Sequence, residues 1–289
     1  MNNINLNLKM ESAKYFMNDN SFRDKNILIT GATGGIGSLL TETLYKLGAT
    51  LLLVSHNEER LKSTFNHILF SRPSDARCHQ PLYEIVDLEN PKQITYQFPS
   101  IMKKLKCRLD IVIMCHGKYS ISLIKNSTVL QFDNMINANV RSVFHLLSLA
   151  TPFLKVTKGN AVILSSLEAK INTKFGALNT IAKSMVNSLV QCSALELASF
   201  GVRVNAVAPG ITNTKHRVTE KFKESDNEEY MKSSGHLFLL KKSVLQPEDV
   251  VNTVLFLASD DAGFITGEII SDDNGYGLNH DLSYNDEVY

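Results

Sequence analysis

The segment Thr30-Gly31-Ala32-Thr33-Gly34-Gly35-Ile36-Gly37 follows a short apolar run, Asn26-Ile27-Leu28-Ile29, and opens a helical stretch from Ile36 to Leu47. Glycines in a strand-to-helix turn answer distinct needs. One lets the chain turn sharply, another lets backbone approach a ligand, and a third lets helix and strand pack closely. The new helix then offers unpaired N–H groups and the positive end of its dipole to an anion. A Gly-rich turn with no ligand is the plainer reading, but the strand before it and the helix after it are the context that phosphate binding demands. The pattern predicts a turn that lies under the pyrophosphate of an NAD(P)-type dinucleotide.

Further apolar runs follow at Thr50–Val54, Leu82–Val86, Ile111–Met114, Ala161–Leu164, Val202–Val207 and Glu268–Ile270. Helical patterns over Glu58–Leu69, Pro91–Leu105, Asn134–Phe153, Leu178–Ser199 and Pro247–Leu257 separate them. Short apolar runs alternating with helices imply strands buried on both faces of a parallel sheet. With right-handed crossovers, this predicts an α/β fold of Rossmann type: a doubly wound, mostly parallel sheet of about seven strands with helices on both faces. No repeat or Pro/Ser-rich linker divides the chain. The expected organisation is an extension over residues 1–23, one domain over 24–279 and a polar tail over 280–289. Within the domain, the charged, weakly apolar residues 215–242 read as a mobile excursion rather than a domain.

At 289 residues and 44% hydrophobic content the chain can bury a sizeable core. Its 30 basic and 29 acidic residues leave a net charge of +1, which gives no general attraction to nucleic acid or acidic membranes. No apolar stretch reaches the length of a spanning helix. Cysteines at 78, 107, 115 and 192 lack metal-ligand spacing and read as reduced thiols of an intracellular protein, with no metal expected. The Asn-rich N-terminus has no continuous apolar core and is not a secretory signal. It reads as a surface-lying or disordered extension; Lys9 and Lys14 among Leu6, Leu8, Met10 and Phe16 leave open a weak amphipathic leader for an organelle such as the mitochondrion. The default location is cytoplasmic.

The turn spacing is Gly-x-x-x-Gly-x-Gly. With it come Gly-Val-Arg-Val-Asn-Ala-Val-Ala-Pro-Gly at 201–210, Phe-Leu-Ala-Ser-Asp at 256–260, Ile-Thr-Gly at 265–267 and Asp273-Asn274-Gly275. Together these resemble the short-chain dehydrogenase/reductase family, in its compact single-domain branch, over roughly residues 24 to 278. The resemblance implies a dinucleotide contacted by Thr30, Gly31, Thr33, Gly35, Ile36, Gly37, Asp87, Gly117, Lys183, Pro209, Gly210 and Thr214. Asp87 reads equally as an N-cap of the helix that follows. The second strand ends at Ser55-His56, with no acidic residue to grip the ribose hydroxyls of NAD(H); His56 and Arg60 read either as a grip on the 2′-phosphate of NADP(H), the preferred cofactor, or as a solvent-facing pair at a helix start. The resemblance also implies a small carbonyl or alcohol substrate and a homo-oligomer or a place in a larger assembly.

Family members that transfer hydride use an Asn that holds a water relay, a Ser that orients the substrate oxygen, a Tyr as general acid/base, and a Lys that lowers the Tyr pKa and binds the nicotinamide ribose. A Tyr with a pKa of about 10 needs an adjacent cation to ionise near neutrality, and residues four apart share a helix face. The matching positions here are Asn139, Ser166, Asn179 and Lys183. Asn179 stands in place of Tyr, and a carboxamide does not titrate. No Tyr lies between Ser120 and Glu229, so no small shift of alignment supplies one. The strand-four Asn-Asn-Ala-Gly of the family is Met114-Cys115-His116-Gly117. Cys115 is a poor tie between strands, and His116 is bulky where Ala admits the cofactor. His116, Tyr119 and Lys183 are the candidates for a substitute proton donor. Two functions follow: an NAD(P)(H)-binding member, impaired or inactive, acting as a binding, regulatory or structural subunit, or an active NADP(H)-dependent oxidoreductase with an altered proton relay.

Overall fold

The computed structural model describes residues 21–71, 79–216, 223–240 and 244–279. Each apolar run becomes a strand: β1 Asn26–Thr30, β2 Thr50–Ser55, β3 Leu82–Ile85, β4 Ile111–Met114, β5 Asn160–Leu164, β6 Arg203–Pro209 and β7 Ile269–Asp272. They form one sheet in the order β3-β2-β1-β4-β5-β6-β7, and every pairing is parallel. The helices are α1 Gly35–Lys46, α2 Glu58–Phe70, α3 Pro91–Lys104, α4 Val129–Ile136, α5 Ser142–Thr157, α6 Ala177–Leu197, α7 Glu224–Ser233 and α8 Pro247–Ala258.

Alternation along each strand feeds two cores. Leu28, Leu52 and Val112 point to one face and pack against Phe98 of α3, Leu146 of α5 and Val190 of α6. Ile27, Ile29, Leu51 and Ile113 point to the other and pack against Leu40 of α1, Leu61 of α2 and Val254 of α8. A strand buried on both sides must be apolar at every position, which explains the continuous runs. Phe22, placed by sequence in the N-terminal extension, is 2% exposed and belongs to the second core, so the packed unit begins earlier than residue 24. Residues 1–20 and 280–289, and with them the leader and tail readings, lie outside the described residues, as does Cys78.

From β1 the chain winds outward through β2 to β3, then crosses back to place β4 on the other side of β1. A crevice opens at such a reversal, beyond the carboxyl ends of the strands.

Two helical readings change. The stretch expected over Asn134–Phe153 begins earlier, at Val129, because Thr128 and Gln131 form a capping box: Thr128 Oγ1 accepts the Gln131 N–H at 3.2 Å and Gln131 Oε1 accepts the Thr128 N–H at 2.9 Å. It then passes through a π-helical turn, Asn137–Arg141, before α5. Residues 215–242, read as an excursion, contain α7 among their described residues.

Candidate active site

A cleft of about 820 Å³ opens at the crevice. Its floor is the glycine turn, and its walls come from the loops after β4, β5 and β6 and from α6. Gly31 has φ +65°, and a Cβ there would meet the His116 backbone N at 2.7 Å. A Cβ on Gly37 would meet Gly31 O at 2.2 Å, and one on Gly35 would meet Thr214 Cγ2 at 2.8 Å. The Gly34 N-cap of α1 makes no side-chain bond, and the first turn holds no acidic residue. By contrast Asn57 caps α2 and Asn90 caps α3. The N–H groups of α1 thus face the cleft uncovered, and no Asp or Glu is among the described residues lining it. These features suit a pyrophosphate, with Gly35, Ile36 and Gly37 presenting the amides.

His116 is bonded at both ring nitrogens. Ser142 Oγ donates to Ala138 O at 2.7 Å, so His116 Nε2–H donates to Ser142 Oγ at 2.9 Å. Nδ1 then accepts from the Thr30 hydroxyl at 2.5 Å. One donor and one acceptor make a neutral ring, and burial pushes its pKa down to about 3. Through these two bonds His116 joins the end of β1 to α5. His116 is also removed as a substitute acid at neutral pH. Burial raises the Cys115 thiol to about 12.

Lys183 Nζ donates to Leu164 O at 2.8 Å, and burial lowers its pKa to about 8. A Cβ on Gly117 would sit 2.5 Å from Asn139 Oδ1 and 3.6 Å from Lys183 Nζ, so a side chain there would displace Asn139. Asn139 is fully buried at the π-helical turn. Its Oδ1 accepts the Lys118 N–H at 3.1 Å, and its Nδ2 donates to Lys118 O and Met135 O, each at 3.1 Å.

Asn179, 3% exposed, does to Ser120 what Asn139 does to Lys118. Its Oδ1 accepts the Ser120 N–H at 3.3 Å and its Nδ2 donates to Ser120 O at 3.1 Å. Both ends of the carboxamide are engaged by backbone. Tyr119, between these two clamped residues, lines the cleft, and its hydroxyl donates to Glu168 Oε1 at 2.7 Å. Ser166 Oγ accepts the Glu168 N–H at 3.2 Å. Glu168 escaped sequence reasoning; its only signal was a carboxylate two residues after Ser166, inside a buried stretch.

Of the residues singled out from sequence, Thr33, Gly35, Ile36, Gly37, Arg60, Gly117, Ser166, Asn179, Lys183, Pro209, Gly210 and Thr214 line one cleft. Thr30, Gly31 and Asn139 lie behind it as supports. His56 and Asp87 are exposed and outside the lining. Nor does Asp87 cap α3: Asn90 accepts the Lys92 and Gln93 N–H groups there, while Asp87 Oδ1 accepts the Glu89 N–H at 2.9 Å. Among the described residues no cluster of His, Cys, Asp and Glu could hold a metal ion, and no helix is long and apolar enough to cross a membrane.

Replacing Asn179 by Ala strips Ser120 of both partners in a buried setting. Urea denaturation is expected to show a loss of about 1–3 kcal/mol. His116 supplies a pH dependence. The unfolded ring protonates below its ordinary value of 6.5, whereas the folded ring stays neutral to about 3. Between those values the unfolded chain binds the extra proton, so stability falls as pH falls. Urea midpoints at pH 7 and pH 5 are expected to differ, and to differ less in His116→Asn.

The family model for enoyl-(acyl carrier protein) reductase matches residues 31–277. The chain is 30% identical to the 7alpha-hydroxysteroid dehydrogenase of Clostridium sardiniense, over 88% of this chain and 94% of that one. The structure of a short-chain type dehydrogenase/reductase from Mycobacterium ulcerans superposes with a TM-score of 0.78 at 27% identity, covering 89% of this chain and 91% of that one. A Tyr-to-Phe variant of ElxO with NADPH bound superposes with a TM-score of 0.75 at 26% identity, covering 88% and 98%. The parallel seven-stranded sheet, the glycine turn at its switch point and these matches across most of the chain establish that it belongs to the short-chain dehydrogenase/reductase family of NAD(P)-binding oxidoreductases.

Proposed function

We propose that this chain binds NADP(H) and that its hydride transfer is impaired or absent, the nucleotide-bound protein serving as a binding, regulatory or structural subunit. One observation carries the reading. Asn179, at the position where the family resemblance calls for a Tyr general acid/base, has a carboxamide that neither titrates nor is free, since Ser120 engages both of its ends. Loss of general acid-base assistance costs ~10²–10⁴ in rate.

The uncovered N-terminus of α1 supports retention of the nucleotide, as does the ElxO variant that carries NADPH. Gly35, Ile36 and Gly37 would hold the pyrophosphate, Thr214 and Lys183 the nicotinamide end, and Arg60 the 2′-phosphate. The bound nucleotide would supply a hydride donor or acceptor. A second reading, an oxidoreductase with an altered proton relay, is favoured by Tyr119, which lines the same cleft, and by Glu168 behind it, which accepts the Tyr119 hydroxyl.

Fluorescence titration of the purified chain is expected to show tighter binding of NADPH than of NADH. Arg60→Ala should weaken NADPH by roughly tenfold and leave NADH unchanged, since a charge-assisted bond is what it removes. Equal affinities in the unmodified chain would sink the NADP(H) assignment. For catalysis, carbonyl and alcohol substrates are screened with the unmodified chain and with Asn179→Tyr. The proposal expects turnover to rise by roughly 10²-fold in the variant. Fast steady turnover by the unmodified chain would overturn it.

A further inference from the structure

Glu168 is 7% exposed, and its Oε1 accepts the Tyr119 hydroxyl at 2.7 Å. Its Oε2 is buried with no hydrogen-bond partner among the described residues. Burying a carboxylate oxygen without a partner is costly. A Gln in this place would accept the same hydroxyl and pin the same loop without a charge. What the carboxylate adds is the capacity to take up a proton.

The Tyr is held with unusual care. Its neighbour Lys118 is clamped by Asn139, and its neighbour Ser120 by Asn179. Two residues on, the Ser122 N–H donates to Phe175 O at 2.9 Å. The Tyr119 ring lies edge-on to His216 with centroids 5.9 Å apart. The backbone N–H of Glu168 also donates to the cleft-lining Ser166 Oγ at 3.2 Å.

We propose that Tyr119 and Glu168 form a proton relay in which Tyr119 Oη takes the proton of a substrate hydroxyl while passing its own proton to Glu168 Oε1. The inference rests on the second reading above, and it makes Asn179 a positioning residue that holds Tyr119 at the cleft wall. The O–H bond of the alcohol breaks as one forms at Tyr119, and the Tyr119 O–H bond breaks as one forms at Glu168. A nicotinamide, when bound, supplies the acceptor for the hydride that leaves the alcohol carbon. Tyr119 then carries no full negative charge, which a phenol with a pKa of about 10 resists near neutrality. Once the carbonyl product has left, Glu168 returns its proton to water by the reverse shift. The substrate class is an alcohol, or its carbonyl in the opposite direction.

The test compares the full-length chain with Tyr119→Phe, Glu168→Gln and the double variant. With NADP and a panel of alcohols, each single variant should lower kcat about 10²-fold while leaving alcohol KM and NADPH affinity unchanged. The double variant should fall no further than either single one, because both act in one step. Proton NMR of the nucleotide-free chain gives a readout independent of turnover: a slowly exchanging hydroxyl signal, lost in Tyr119→Phe and shifted in Glu168→Gln. Wild-type rates in Tyr119→Phe would overturn the relay. So would tight NADPH binding with no turnover by the unmodified chain, an outcome that leaves the binding-subunit reading intact. Failure of the unmodified chain to bind either nucleotide would overturn both.

Discussion

Strands buried on both faces govern this molecule. A parallel strand cannot return to its neighbour by a tight turn, so the chain must cross over through a helix, and the helices must cover both sides of the sheet. Leu28 and Ile29, adjacent in β1, therefore belong to different cores. Once winding proceeds outward to β3 and the chain returns to the far side of β1, a crevice at the carboxyl ends is unavoidable. The residues that line the cleft come from strand ends, loops and helices that this reversal brings to one place.

The cleft is then shaped by what cannot fit. Gly31, Gly35, Gly37 and Gly117 each lie where a Cβ would collide with backbone, Thr214 or Asn139. Behind them His116, held neutral by burial and by two bonds, ties β1 to α5. An imidazole here does what the resemblance expects of a carboxamide one residue earlier on the strand end. The architecture tolerates such a change because it needs a donor and an acceptor in the right places, not a particular residue.

The fold was legible because continuous apolar runs and a glycine turn are local signals with one topological solution. Phe22 was not, since a lone aromatic ahead of a strand looks the same whether it is packed or exposed. Nor was the start of α4, where the Thr128–Gln131 capping box was present but sat ahead of the apolar pattern. At the site, the family resemblance pointed to Asn139, Ser166, Asn179 and Lys183; the last three line the cleft and Asn139 lies behind it at the π-helical turn. What spacing could not convey was the engagement of each side chain. Whether Asn179 is free or clamped depends on Ser120, 59 residues away in sequence. The Tyr119–Glu168 bond spans 49 residues and belongs to no periodic pattern.

The same separation bears on how position 179 is understood. Asn179 leaves no gap at its position: it is 3% exposed and bonds both backbone groups of Ser120, as Asn139 does for Lys118. Paired clamps of this kind restrain the loop after β4 at two points, and the residue between them is Tyr119.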